Sequence, residues 1–292
     1  MKPAPFDYHR VRSLEEAFAL LDQYGDEARL LAGGQSLVPM LNLRIGRFGH
    51  LVDLNWLQNL AFVEETDARI TIGALTRHAR LESAPPPVHK GCPILAAAAH
   101  NIGHVAIRER GTLGGSLALA DPAAELPLMA TLLNAELELA SSSGTRTVRA
   151  REFFITVLTT ALEPNEVLTR ASFPALGPRE GWGLRWLSRR IGDFALVNAA
   201  ATVSLDTDGR IERLRLALGG TGPTPEALAD LEAGQRGAVP DRDWPDAVAA
   251  GAAERVEPHS DPHASAAYRR DLVRVLLARA LRDALGRAGV EG

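Results

Sequence analysis

Two glycine-bearing stretches of similar chemistry, Ala32-Gly-Gly-Gln-Ser-Leu37 and Gly111-Thr-Leu-Gly-Gly-Ser116, constrain this chain more than any other feature. The first follows a short apolar run, Ala28 to Ala32, and precedes a helix-like segment that starts at a Ser36 cap and runs through Leu43. A glycine pair between a strand and a helix gathers backbone N–H groups where no Cβ keeps a ligand away, which makes an anion nest. A Gly-Gly turn that merely reverses the chain looks the same, so one such motif has little specificity. Two of them, far apart in sequence, can grip one elongated, phosphate-bearing ligand from two sides.

The surrounding pattern alternates helix and strand. Ser13-Leu-Glu-Glu16 is a capping box for a helix that should end at Gly25, and Leu51 to Leu54 reads as a strand. Arg69 to Gly73 alternates like a strand, Leu75 to Glu82 reads as a short helix, and Ala84 to Pro87 reads as a rigid exposed loop. Pro93 to Asn101 is helical. Asp121-Pro122 should cap and start another helix that runs to about Leu133. Strands are expected near Ala135–Ala140, Arg146–Val148 and Val167–Phe173. After Pro174 to Pro178 come three more, at Trp182–Ser188, Val197–Leu205 and Ile211–Leu218, the last two joined by an Asp206-Thr-Asp-Gly209 turn. Helices follow over Pro225–Leu231, Trp244–Ala253 and Ala264–Leu285. In the last, Leu272, Val275, Leu276 and Ala280 form an apolar stripe, with Arg269, Arg270, Arg274, Arg279 and Arg282 assigned to solvent. The expected class is α+β, divided into 1–55, 56–177 and a C-terminal α+β domain at 178–292.

Composition removes several functions. Hydrophobic residues at 46% and charged residues at 23% are ordinary globular values, and a net charge of −4 with scattered Lys and Arg argues against nucleic acid as a partner. The single Cys92 excludes a disulfide within the chain and an iron–sulfur cluster, which wants about four thiolates. Redox chemistry would need an organic carrier or a partner. No apolar leader and no membrane-length apolar run is apparent, so a cytoplasmic location is expected. His100 and His104 invite a metal reading but lack a His-Glu-x-x-His pattern, so no metal is expected. Gly114-Gly-Ser116 resembles a nucleophile elbow without its final glycine. Asp121 and Glu125 could form an acid–base pair, or Asp121 could cap the helix and leave Glu125 facing the ligand.

Ala32 to Arg44, Ile107 to Ser116 with Ala120 to Pro127, and Arg190 to Ala195 together resemble one family, in order and at matching spacing. It is the FAD-binding medium subunit of molybdenum hydroxylases, which include aerobic carbon monoxide dehydrogenase and xanthine dehydrogenase. The resemblance implies a two-subdomain FAD-binding fold of the PCMH (vanillyl-alcohol-oxidase-like) type, followed by a domain with a small antiparallel sheet and helices. It implies that Ala32, Gly33, Gly34, Gln35, Ser36 and Leu37, with Gly111, Thr112, Gly114, Gly115 and Ser116, wrap the FAD pyrophosphate. By the same resemblance Ile102 and Leu168 lie by the flavin ring, Glu125 reaches the flavin side, and Arg185 is a basic residue near the cofactor. No residue of this chain is assigned a catalytic role. Relatives carry His at the position of Gln35 and Asn at that of Ser116. The implied function is an oxidoreductase subunit that takes electrons from an iron–sulfur small subunit, beside a molybdopterin large subunit, in a heterotrimer or its dimer. Electrons would leave to NAD, a quinone or another acceptor. A stand-alone FAD oxidoreductase and a cofactor-free structural relative are the alternatives.

Overall fold

The computed structural model describes residues 2–66 and 68–289, so Met1, Asp67 and the last three residues of the C-terminal segment lie outside it. It is a mixed helix-and-sheet fold, as the sequence implies, built on three main sheets. The first is parallel, with His50–Asp53 between Asp7–Arg10 and Ala28–Leu31. The helix Leu14–Tyr24 covers it through Ala17, Phe18 and Leu21, and the Ser13 hydroxyl caps that helix by accepting from the Glu16 N–H at 3.2 Å.

The second sheet is antiparallel, in the order Val63–Thr66, Arg69–Gly73, Val167–Pro174, Glu136–Ser141, Gly144–Arg149. The helices Pro93–Asn101 and Glu125–Leu133 form its core with it. All nine residues of Glu125–Leu133 are buried, because the helix lies between this sheet and the third one. A helix buried on every side shows no polar stripe.

The third sheet runs Glu180–Ser188, Ala195–Leu205, Ile211–Gly219, Glu226–Ala227, all antiparallel. Every residue of Ala195–Leu205 is buried. Ala200 joins the middle core, while Ala199, Ala201 and Val203 join the core formed with Trp244–Arg255 and Ala266–Ala288. The long helix lies flush on the sheet at two glycines. A Cβ on Gly181 would stand 2.5 Å from the Ala288 nitrogen, and one on Gly183 would stand 2.6 Å from the Ala280 carbonyl carbon.

Several local expectations give way to tertiary contacts. The proline run opens a helix, Pro86–Gly91, because proline suits the first helical turn, where no N–H is needed. The helix expected from Pro122 starts at Glu125 instead. Asp121 folds back to accept the Ala123 N–H at 2.9 Å, while the Pro122 and Ala123 carbonyls accept from Gly220 N–H and Asn198 Nδ2 of the third sheet. Pro225–Leu231 splits into the short edge strand and a helix, Ala229–Ala233. Arg269 is buried rather than solvated, donating to the Leu196 and Gly220 carbonyls and to Asp261, whereas Val275 of the expected apolar stripe is exposed.

Gly183→Ala should lower the unfolding midpoint of the C-terminal half, costing about 2–3 kcal/mol by overpacking against helix backbone that cannot yield locally. Denaturant melts of wild type and variant check it. An unchanged midpoint would contradict the flush packing.

Candidate functional site

The two glycine stretches meet. Gly33 follows the strand Ala28–Leu31, and a Cβ there would stand 2.8 Å from the Gly111 Cα and closer still to the Arg110 carbonyl oxygen. One bridge holds the pair together: Asn55 Nδ2 donates to the Ala32 carbonyl at 2.7 Å, Arg77 Nη2 donates to Asn55 Oδ1 at 2.6 Å, and Arg77 Nη1 donates to the Arg110 carbonyl. Two side chains, through three hydrogen bonds, thus fix two loops to each other.

The second stretch is not the single tight turn its glycines suggest. Two short helices, Val105–Arg110 and Leu113–Leu119, join at Gly111-Thr112, and the Thr112 hydroxyl caps the second by accepting from the Gly115 N–H at 3.1 Å. The Gly114 N–H donates to the Ala74 carbonyl at 2.8 Å, and a Cβ there would lie 2.6 Å from the Ala74 Cβ. Gly114 therefore serves close packing of this helix on the sheet.

Between and beneath these loops opens a cavity of about 570 Å³, within the range of small-molecule sites. Of the fifteen expected site residues, fourteen line it: Ala32, Gly33, Gly34, Gln35, Ser36, Leu37, Ile102, Gly111, Thr112, Gly114, Gly115, Ser116, Glu125 and Leu168. Arg185 does not. It lies on Glu180–Ser188 and pairs with Asp283 of the last helix at 2.8 Å. The hairpin residues Leu158–Thr160 and the loop Gly192–Phe194 complete the wall. Leu168 sits at a register shift in its strand, where a bulge re-aims side chains.

Residues with unpaired backbone donors line this space together with Arg29, whose guanidinium lies 4.9 Å from the Phe48 ring centre. Among the described residues, the backbone N–H groups of Gly33, Gly34, Gln35 and Ser36 find no protein acceptor, and Ser36 makes no capping bond. The nearby arginines are already engaged. Arg77 bridges the loops, and Arg108 donates to Glu82 at 2.6 Å and to the Ile102 carbonyl at 3.1 Å. Burial pushes the His78 pKa down to about 4, opposed by the Thr112 backbone, so the ring is neutral. Burial pushes Glu125 up to about 7, with Asp121 adding in the same direction. His100 pairs with Glu82 at 2.9 Å, and among the described residues no His, Cys, Asp or Glu group is arranged to hold a metal.

Asn55, Arg77 and His78 were not marked by the sequence. Asn55 stands alone between apolar residues, and Arg77 and His78 follow Thr76 after a strand, with no motif around any of them; only the fold brings them to the loops.

The FAD binding domain in molybdopterin dehydrogenase matches residues 4–176, and the CO dehydrogenase flavoprotein C-terminal domain matches residues 182–284. The chain is 39% identical over 288 residues to the 6-hydroxypseudooxynicotine dehydrogenase complex subunit alpha of Paenarthrobacter nicotinovorans, covering 99% of this chain and 97% of that one. It is similar in structure to carbon monoxide dehydrogenase from Hydrogenophaga pseudoflava, with a TM-score of 0.94 and 36% identity over 98% of this chain and 99% of that one. Quinoline 2-oxidoreductase from Pseudomonas putida 86 gives a TM-score of 0.92 and 36% identity over 99% and 100%.

Asn55→Ala should release Ala32 and strand one arm of Arg77, weakening ligand uptake roughly tenfold by the loss of about 1–2 kcal/mol of loop registration. Titration of the variant with cofactor checks this. Glu125 yields a pH prediction. Its folded pKa exceeds its ordinary 4.5, so the native state holds the extra proton and loses relative stability as pH rises from about 4.5 to about 7. Glu125→Gln should therefore gain stability relative to wild type across that window, by at most about 1.4 kcal/mol per pH unit. Parallel melts at pH 5 and 7.5 would show the gain, or refute the buried neutral carboxyl by its absence.

Proposed function

The chain belongs to the FAD-binding family of molybdopterin dehydrogenases, and from that premise we propose that it is the electron-transfer flavoprotein subunit of a molybdenum hydroxylase complex. The observation that carries this is the cavity walled by both glycine stretches, where a row of unpaired backbone N–H groups faces the space. Such a row fits a pyrophosphate, and the apolar walls fit an aromatic ring system.

FAD, when bound, supplies redox chemistry that links one-electron donors to two-electron acceptors. This chain's residues supply its position. The N–H groups of Gly33 to Ser36 would hold its phosphates, with Thr112 and Ser116 beside them. Ile102 and Leu168 would supply apolar surface for its ring system. Glu125 would offer a carboxyl whose raised pKa lets it donate as well as accept a hydrogen bond near neutral pH.

Cys92 is fully buried with its thiol pKa pushed up to about 12, so it is not a metal-ligating thiolate. In this reading electrons reach the cavity from another chain. We assign that role to an iron–sulfur small subunit, itself fed by a molybdopterin large subunit, in a heterotrimer or its dimer. NAD or a quinone is the class of final acceptor. No described helix is long and apolar enough to cross a membrane.

The purified chain should carry, or take up, equimolar FAD and turn over no small-molecule substrate without partner subunits. Flavin absorbance and assays with and without partners read both. A chain that binds no FAD would overturn the cofactor assignment. Turnover of a substrate by the chain alone would overturn the relay and favour a stand-alone oxidase or reductase.

A further inference from the structure

His78 lies under the second glycine stretch and is 3% exposed. Its backbone N–H donates to the Gly111 carbonyl at 3.0 Å, which pins the residue beneath the loop. Its Nε2 stands 3.2 Å from the Ser116 hydroxyl, and its Nδ1 is buried with no hydrogen-bond partner. A Cβ on Gly111 would come 2.6 Å from that Nδ1, so glycine there leaves room for the ring. Both His78 and Ser116 line the cavity.

The orphan nitrogen fixes the direction of the bond. A neutral imidazole carries one N–H, on Nδ1 or on Nε2. If it were on Nδ1, a buried donor would go unpaired, which folded proteins avoid more strictly than an unpaired acceptor. The Nε2 tautomer leaves only a lone pair without a partner. Nε2–H then donates to the Ser116 oxygen, and the Ser116 proton is turned away from His78 and toward the cavity.

Building on the FAD assignment above, we propose that His78 is a positioning residue that holds the Ser116 hydroxyl as a hydrogen-bond donor to the phosphates of the bound dinucleotide. A free serine hydroxyl rotates between donor and acceptor roles, and an acceptor facing phosphate oxygen repels it. The imidazole removes that freedom.

The full chain, stripped of flavin, is titrated with FAD and with riboflavin, which lacks phosphate, and binding is read by flavin fluorescence. Ser116→Ala should weaken FAD roughly tenfold, as loss of a donor to a charged group does, and leave riboflavin within about twofold. His78→Phe should match it, the double variant should be no worse than either single one, and His78→Gln, which keeps a donor near Nε2, should recover most of the loss. Long-range ¹⁵N spectra of the histidine-labelled protein should show His78 protonated at Nε2. Equal losses for both flavins, additive losses in the double variant or a proton on Nδ1 would overturn the proposal. If wild type binds neither flavin, the cofactor assignment falls with it; if wild type binds FAD but Ser116→Ala keeps its preference over riboflavin, the positioning role alone falls.

Discussion

The contact between the Gly33 backbone and the Arg110–Gly111 backbone is what the rest of the molecule depends on. It joins a parallel three-stranded unit to an antiparallel five-stranded one at a point where neither has a side chain to spare. Backbone packed on backbone leaves no slack: a methyl group on Gly33 would force the loops apart, and with them both walls of the cavity. Dispersion between so few atoms amounts to little, about 0.1–0.2 kcal/mol per pair. The Asn55–Arg77 bridge therefore matters more than the contact it stabilises. Its hydrogen bonds each add about 1 kcal/mol net, and more where the guanidinium takes part.

The C-terminal domain enters the site through the turn before Glu125. Pro122 and Ala123 give their carbonyls to Gly220 and Asn198, and this delays the helix until Glu125. Arg269 holds the other end of that junction by binding the Leu196 and Gly220 carbonyls. A carboxyl that lines the cavity is thus positioned from a different sheet. The loop Gly192–Phe194 of the same domain closes the cavity wall. The third sheet thus helps to position the cavity wall, although most of its residues do not line the cavity.

Much of this was legible in the sequence, for definite reasons. The strand Arg69–Gly73 alternates half-buried Arg69 and Thr71 with buried Ile70 and Ile72, and the capping box at Ser13 works locally. Fourteen of the fifteen expected residues line one cavity, and eleven of them belong to the two glycine stretches, whose ordered pattern is distinctive. What escaped is what long-range contacts decide. Gly114 packs against Ala74 rather than opening space for phosphate, Arg269 finds three acceptors inside the protein, and Arg185 finds Asp283 instead of the cavity. An arginine or a glycine has the same letter in each role. Asn55, Arg77 and His78 gave no signal, since a bridge between loops, or a ring beneath one, requires only that polar side chains converge in space.

The electrostatics of the cavity follow from the same economy. The arginine that lines the cavity, Arg29, stacks over Phe48, while Arg77 and Arg108 are turned to carbonyls and to Glu82, His78 is neutral, and Glu125, with its pKa raised to about 7, is about half protonated near pH 7. Backbone N–H groups remain as the donors. They are fixed by the fold and lose no side-chain entropy when a ligand arrives. A flexible cation would give up about 1.5–2 kcal/mol of rotamer freedom on binding and could swing away again. Arginines that build the loops, and loops that present the amides, divide the work so that the charge shapes the protein and the peptide dipoles meet the ligand.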